Sequence, residues 1–153
     1  MPAKWGGGTC VLEELAAEDV SDSSVEAIGD QIQELFCHRN RLDAEIQRRL
    51  HRFDKARGDS ADGVLTTRAW LRWKCHLSAS EATERVEVAR RLGGLEITAS
   101  AFAEGAITFR HAALIARTSR EVGEKWEAHA EDILVTAARE VDTRGACRSR
   151  PNT

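Results

Sequence analysis

The sequence of 153 residues contains no tyrosine, four tryptophans and four phenylalanines, so aromatic side chains can fill only part of a core. Its two prolines, Pro2 and Pro151, lie at the ends, and nothing between them forbids continuous helix. Ala, Leu, Arg and Glu dominate the composition, and all four are good helix formers. We therefore expect an all-α fold, a helical bundle with one long N-terminal helix.

Paired cysteines and long apolar runs are also missing. The four cysteines, Cys10, Cys37, Cys75 and Cys147, are scattered and lack C-x-x-C spacing. No secretory signal precedes them, so we expect reduced thiols rather than a disulfide framework, and a cytoplasmic protein. No apolar run approaches the ~20 residues needed to cross a bilayer, so no membrane partner is expected.

An excess of positive charge is absent too. The net charge of −3 argues against a strongly basic nucleic-acid binder. The charge is uneven, however, since residues 35–57 and 65–92 are basic while residues 1–34 and 121–142 are acidic. Two interpretations stay open: one basic face, or solvated helix surfaces that pair with each other.

The sequence lacks any recognisable catalytic constellation. Its histidines lie on separate predicted helices, without the spacing that would bring two of them to one metal: His38, His51, His76, His111 and His129. There is no Gly-rich phosphate loop or nucleophile elbow, and no pair of carboxylates stands out. We expect no catalytic residue, no metal, no cofactor and no small-molecule substrate.

The chain is organised around one helical domain, predicted over residues 23–142. Before it, the glycines at 6–8 favour a flexible N-terminal arm over residues 1–22, with a weak helix at Val11–Ala17. After it, the polar stretch 143–153 is predicted to be a disordered tail.

A long helix is predicted from Val25 to Ala56, capped by Asp22, Ser23 or Ser24 and ended by Gly58. Its apolar residues fall at spacings of three and four: Val25, Ile28, Ile32, Leu35, Leu42, Ile46 and Phe53. Arg39 and Arg49 interrupt the seam. Such a helix would extend ~48 Å, so it should either pack lengthwise over the others or form a homodimer through residues 25–56.

Shorter amphipathic helices follow. Thr66 or Thr67 caps a helix over Arg68–Cys75, on which Trp70 and Trp73 are predicted to pack into the core.

A capping box at 78–81 opens the next helix, which ends at Leu92 before a Gly-Gly pair and carries Arg85, Arg90 and Arg91 on its polar side. The last helix, from Trp126 to Val141, has an acidic face that includes Glu131.

Between these helices the sequence has the pattern of a helix-turn-helix motif. A helix over Leu95–Ala103 stops at Gly105, which can take the left-handed conformation, and Thr108 caps a second helix that extends to Ser119. A helix-turn-helix places the first residues of its second helix against base edges, where Arg110 and His111 are hydrogen-bond donors.

Double-stranded DNA is therefore the candidate partner. The other cations that could neutralise phosphates lie on the same two helices: Arg85, Arg90, Arg91, Arg117 and Arg120. The alternative is a structural or interaction module that dimerises or docks a protein through the long helix, because glycine-linked helix pairs are common in proteins that never touch DNA.

Three motifs in this order resemble one protein family. They are Leu65 to Leu71 with Trp70, Val88 to Leu92, and Glu104 to Ala112 with Gly105 and Thr108. They resemble the actinobacterial 13E12-repeat family, also called domain of unknown function 222, over roughly residues 25–141.

In that family the domain precedes a C-terminal HNH endonuclease, whose motif this chain lacks. The resemblance thus implies a non-catalytic, DNA-positioning module, as in a shortened copy within a mobile element.

Overall fold

The computed structural model describes residues 6–142, with the side chains of residues 11–127 and 129–141. Over that range it contains α-helices and 3-10 turns but no strand, which confirms the predicted all-α fold. The helices are α1 (Gly6–Ala17), α2 (Val25–Lys55), α3 (Thr67–Lys74), α4 (Ala79–Leu92), α5 (Glu96–Ala103), α6 (Phe109–Val122) and α7 (Ala128–Asp142). The tail predicted over 143–153 lies outside the described residues.

The chain divides into two compact units, Met1–Ile32 and Gln33–Thr153, and the boundary falls inside α2. The first unit contains α1 and the start of α2, so a helix occupies part of the stretch for which we expected a flexible arm. Ser24 caps α2 as one of the three predicted candidates, because its hydroxyl accepts the Ala27 N–H at 3.2 Å.

The end of α2 differs from the prediction. Gly58 does not cap the helix; Arg57 takes the left-handed conformation, and Gly58 begins a 3-10 turn, Gly58–Asp62. Gly58 instead lies close to the Phe53 ring, which would have to move if residue 58 carried a Cβ.

The core of the second unit consists of two clusters that meet at α4. One cluster joins α2, α3 and α4 through Leu50, Leu71 and Val86. The larger one packs α5, α6 and α7 together, with Phe102 and Ile107 among its fully buried members. Leu92, at the end of α4, packs against the larger cluster, so α4 holds the helix-turn-helix pair to the rest of the bundle.

The two tryptophans of α3 behave differently. Trp70 packs on the smaller cluster, contacts the Phe53 ring in a tilted arrangement with 4.5 Å between ring centroids, and donates its indole N–H to Asp62 at 2.6 Å. The prediction that Trp73 belongs to the core is wrong, because 55% of it is exposed and the Lys74 ammonium lies over its ring.

The cysteines also correct a prediction. Cys37, buried on α2, is disulfide-bonded, whereas Cys75 is a free, exposed thiol. The expectation of reduced thiols is therefore wrong at Cys37. None of the described helices is long and apolar enough to cross a membrane.

Candidate nucleic-acid interface

The corner between α5 and α6 is built by the two residues that the sequence marked for it. Gly105 is buried with φ of +77°, a left-handed conformation that a side chain would strain. Thr108 accepts the backbone N–H of His111 at 3.3 Å and so caps α6. Arg41 of α2 donates to the Glu104 carbonyl at 3.1 Å, which ties the corner to the long helix.

His111 serves this corner rather than the surface. Its side chain is half-buried, and its Nδ1 accepts the Thr108 backbone N–H at 3.4 Å, completing a capping box. The sequence suggested His111 as a donor to a base edge, but its Nδ1 is used as an acceptor within the corner. The physical reason is that a helix start has orphan N–H groups and His111 is close enough to satisfy one.

The exposed stripe of α6 contains Arg110, Leu114 and Arg117, which follow one another at about one helical turn. Arg110 is strongly exposed, with 84% of its side chain accessible. The opposite side of α6 is buried in the larger cluster through Ala112, Ile115 and Ala116. Leu114 is half exposed in the middle of the cationic stripe.

A groove of about 740 Å³ runs between α4 and α6. Four of the predicted cations line it: Arg91, Arg110, Arg117 and Arg120. Two acids, Glu84 and Glu87, face them from α4, with Arg110 at 3.7 Å from Glu84 and Arg120 at 3.2 Å from Glu87. Among the described residues, Arg91 and Arg117 have no ion-pair partner.

Arg85 does not belong to this groove. Only 17% of its side chain is exposed; it donates to Asp43 of α2 at 2.7 Å, and its guanidinium lies 4.1 Å from the centre of the Phe109 ring. The expectation that Arg85 lies on the polar side of α4 is wrong, since the cation is used to join α2, α4 and α6.

Arg90 is also held by an acid of the bundle, although 56% of its side chain is exposed. It donates two hydrogen bonds to Asp54, at 2.7 and 3.0 Å, and Thr67 donates a third at 2.6 Å, so one carboxylate links α2, α3 and α4. The Arg90 hydrogen bonds hold the pKa of Asp54 below its usual value, against the opposing effect of burial, and the Thr67 hydroxyl adds to the lowering.

Asp54→Asn is expected to lower the free energy of unfolding at pH 7 by about 1–2 kcal/mol, a figure kept small because the guanidinium is half exposed. A carboxyl whose folded-state pKa is depressed stabilises the fold above its unfolded pKa, and this contribution is lost as pH falls through the folded pKa. The deficit should therefore shrink below about pH 4. Urea titrations at several pH values measure it. Asp132→Asn on an exposed position is the control, and a deficit that is independent of pH would contradict the assignment.

The sequence did not reveal how the first helix of the pair is capped. Leu95 at the cap of α5 has no side-chain acceptor, and Glu131 of α7 takes its place by accepting the Thr98 N–H and hydroxyl, both at 2.8 Å. Glu131 is only 5% exposed, so its assignment to the acidic solvent face of the last helix is wrong. A lone Glu among exposed acids gives no local signal of this contact.

No group of three His, Cys, Asp or Glu side chains within the described range is placed to hold a metal ion. The histidines have separate environments: His38 lies 3.6 Å from Glu34, and Nδ1 of His51 lies 3.0 Å from the Ala89 carbonyl oxygen. His76 takes a left-handed conformation after α3.

A family model described as "Domain of unknown function (DUF222)" matches residues 30–148, which is more than half of the chain. Comparison with curated proteins and with solved structures gives no match.

Proposed function

Since this chain belongs to the DUF222 family, we propose that its helical domain is a non-catalytic module that binds and positions double-stranded DNA. The family description itself states no activity, so the proposal is supported by the surface of α4 and α6. In the arrangement that the 13E12-repeat resemblance suggests, this domain would supply the DNA contact and a separate module would supply cleavage. We also propose that the protein acts in the cytoplasm. Its origin as a shortened copy within a mobile element is part of the same proposal.

The observation that carries the proposal is the convergence of four arginines on the groove between α4 and α6. Arg91 contributes from the end of α4, while Arg110, Arg117 and Arg120 lie along α6. The net charge of the whole chain is −3, so the protein surface as a whole does not attract phosphate. A local cluster of arginines therefore makes this groove the surface that phosphate would prefer.

The ion pairs in the groove do not prevent this use. Arg110 and Arg120 face Glu84 and Glu87 across solvent-exposed contacts of 3.7 and 3.2 Å. Exposed pairs of this kind contribute only about 0–1 kcal/mol, so a phosphate can replace the carboxylate as partner at small cost. The two glutamates also repel phosphate, and they confine its approach to the side of the groove formed by α6.

The exposed stripe of α6 supplies groups for reading a base edge. Arg110 at the start of the helix and Arg117 two turns later are donors suited to guanine, and Leu114 between them can contact a thymine methyl group. This assigns base contact to Arg110, Leu114 and Arg117, and phosphate contact to Arg91 and Arg120.

The double substitution Arg110→Ala with Arg117→Ala is expected to weaken binding to duplex DNA by about 10-fold to 100-fold, because it removes two of the four cations. The slope of log K against log salt should also become shallower by about two units. Fluorescence anisotropy with a labelled duplex, repeated from low to moderate salt, measures both quantities.

Lys125→Ala with Arg139→Ala is the matched control, since it removes two exposed positive charges that do not line the groove. It should leave the affinity within about threefold of the wild type. Equal losses in the two double variants would show a general charge effect, and absence of wild-type binding at low salt would refute the proposal.

A further inference from the structure

The long helix α2 exposes a line of large apolar side chains. Within the second unit, Leu35, Leu42 and Ile46 are 48%, 61% and 44% exposed. The buried side of the helix mixes apolar residues such as Leu50 with the polar Gln47. A solvated helix normally presents polar side chains to water, so the exposed apolar stripe is unusual for a surface that faces only water.

The spacing of the stripe is that of a coiled-coil seam. Leu35, Arg39, Leu42 and Ile46 are separated by four, three and four residues, the alternation that keeps one line of side chains facing a partner helix. Arg39 is the one polar residue among these four seam positions. Its guanidinium lies 5.4 Å from the centre of the exposed Phe36 ring. Its aliphatic stem is therefore available to cover an apolar neighbour.

We propose that this stripe binds the same stripe of a second copy of the chain, with the two α2 helices antiparallel. The seam positions are symmetric about the midpoint between residues 40 and 41, so a two-fold axis there places Leu35 opposite Ile46 of the second copy and Arg39 opposite its Leu42. Such self-complementarity is what an isologous dimer requires.

Charge decides between the two orientations. In a parallel pair in register, each seam residue faces the same residue of the second chain. Arg39 would then face Arg39, and Arg49, ten residues further along the seam, would face Arg49, so like charges would meet at both positions. The antiparallel pair separates the arginines and covers each Arg39 stem with Leu42 of the other chain. It also brings the flanking residues His38 and Glu45, which are unlike in charge when His38 is protonated, next to each other across the interface.

The wild-type chain should sediment as a dimer at concentrations on the order of 10 µM, where even a micromolar dissociation constant gives mostly dimer. Leu42→Asp should raise the dissociation constant at least about 100-fold, because the apolar layer at the centre of the seam then contains an unpaired carboxylate. Since Leu42 is more than half exposed in the single chain, the helical circular-dichroism spectrum of this variant should be unchanged.

Leu65→Asp is the matched control, because Leu65 is 87% exposed and lies outside α2. It makes the same chemical change and should leave the dimer intact. A monomeric wild type, or equal dissociation of the Leu42 and Leu65 variants, would overturn the proposal. If the stripe binds a different protein instead of a second copy, the wild-type chain alone should be monomeric.

Spin labels at residue 52, introduced as an unnatural amino acid so that native cysteines stay unlabelled, test the orientation. The antiparallel register places the two copies of residue 52 roughly 35 Å apart along the helix axis, since they are offset by 23 residues. A separation of only about 10–15 Å, as for helices side by side in parallel, would overturn the antiparallel arrangement. Neither readout involves DNA, so the dimer and the DNA interface can fail independently.

Discussion

Glu131→Ala is expected to lower the free energy of unfolding by about 3–4 kcal/mol, enough to unfold a marginally stable domain. Glu131 accepts two hydrogen bonds from Thr98, whose side chain is fully buried, and Leu95 at the cap position offers no side-chain acceptor to this end of α5. The substitution leaves an N–H and a hydroxyl without partners inside the protein, and such groups cost more than an absent hydrogen bond at the surface.

Two variants separate this effect from a general loss of charge on α7. Glu131→Gln keeps an acceptor oxygen and should cost only about 1 kcal/mol, because its hydrogen bonds are no longer charge-assisted. Asp132→Ala removes a neighbouring exposed carboxylate and should change stability by less than about 0.5 kcal/mol. Urea unfolding followed by circular dichroism measures all three, and a Glu131→Ala variant as stable as Asp132→Ala would show that the contact does not cap α5.

Gly105→Ala is expected to destabilise the protein by about 2–4 kcal/mol, from two separate causes. A Cβ at φ of +77° introduces backbone strain of about 1–2 kcal/mol. The same Cβ would lie 3.1 Å from the Cys37 carbonyl oxygen, the Cys37 sulfur and Cγ of Arg41, so the corner would have to move away from α2.

Gly63 provides the matched control for the second cause. It also takes the left-handed conformation, with φ of +72°, but no atom lies within 4 Å of a Cβ built there. Gly63→Ala should therefore cost only the backbone term, about 1–2 kcal/mol. The difference between the two midpoints of thermal unfolding isolates the close approach of the corner to α2, and equal shifts would contradict it.

Local chemistry explains what the sequence could predict. Ser78 and Thr108 could be predicted as caps, and Thr66 as one of two candidates, because a hydroxyl before an apolar run satisfies the first free N–H groups of a helix. Each of the three accepts the N–H three residues later. The corner at Gly105 was predictable for a similar reason, since few residues other than glycine take a left-handed conformation without strain.

Contacts between distant segments explain what it could not predict. Arg85 and Arg90 look like surface cations in the pattern of α4, yet Asp43 and Asp54 on α2 hold them, 42 and 36 residues away in sequence. Of the seven cations proposed for DNA, the groove contains Arg91, Arg110, Arg117 and Arg120, and no spacing rule distinguishes these from the others. Charge pairing across a bundle depends on which faces meet, which periodicity alone does not give.

The cap that α7 provides for α5 also constrains the order of events during synthesis. Ribosomes deliver the chain from its N-terminus, so α5 and α6 emerge before Glu131 does. Until α7 has left the ribosome, the start of α5 lacks its acceptor and the helix-turn-helix pair can form only partially. The nascent protein should therefore acquire its arginine-lined surface late, once nearly the whole matched domain has been translated.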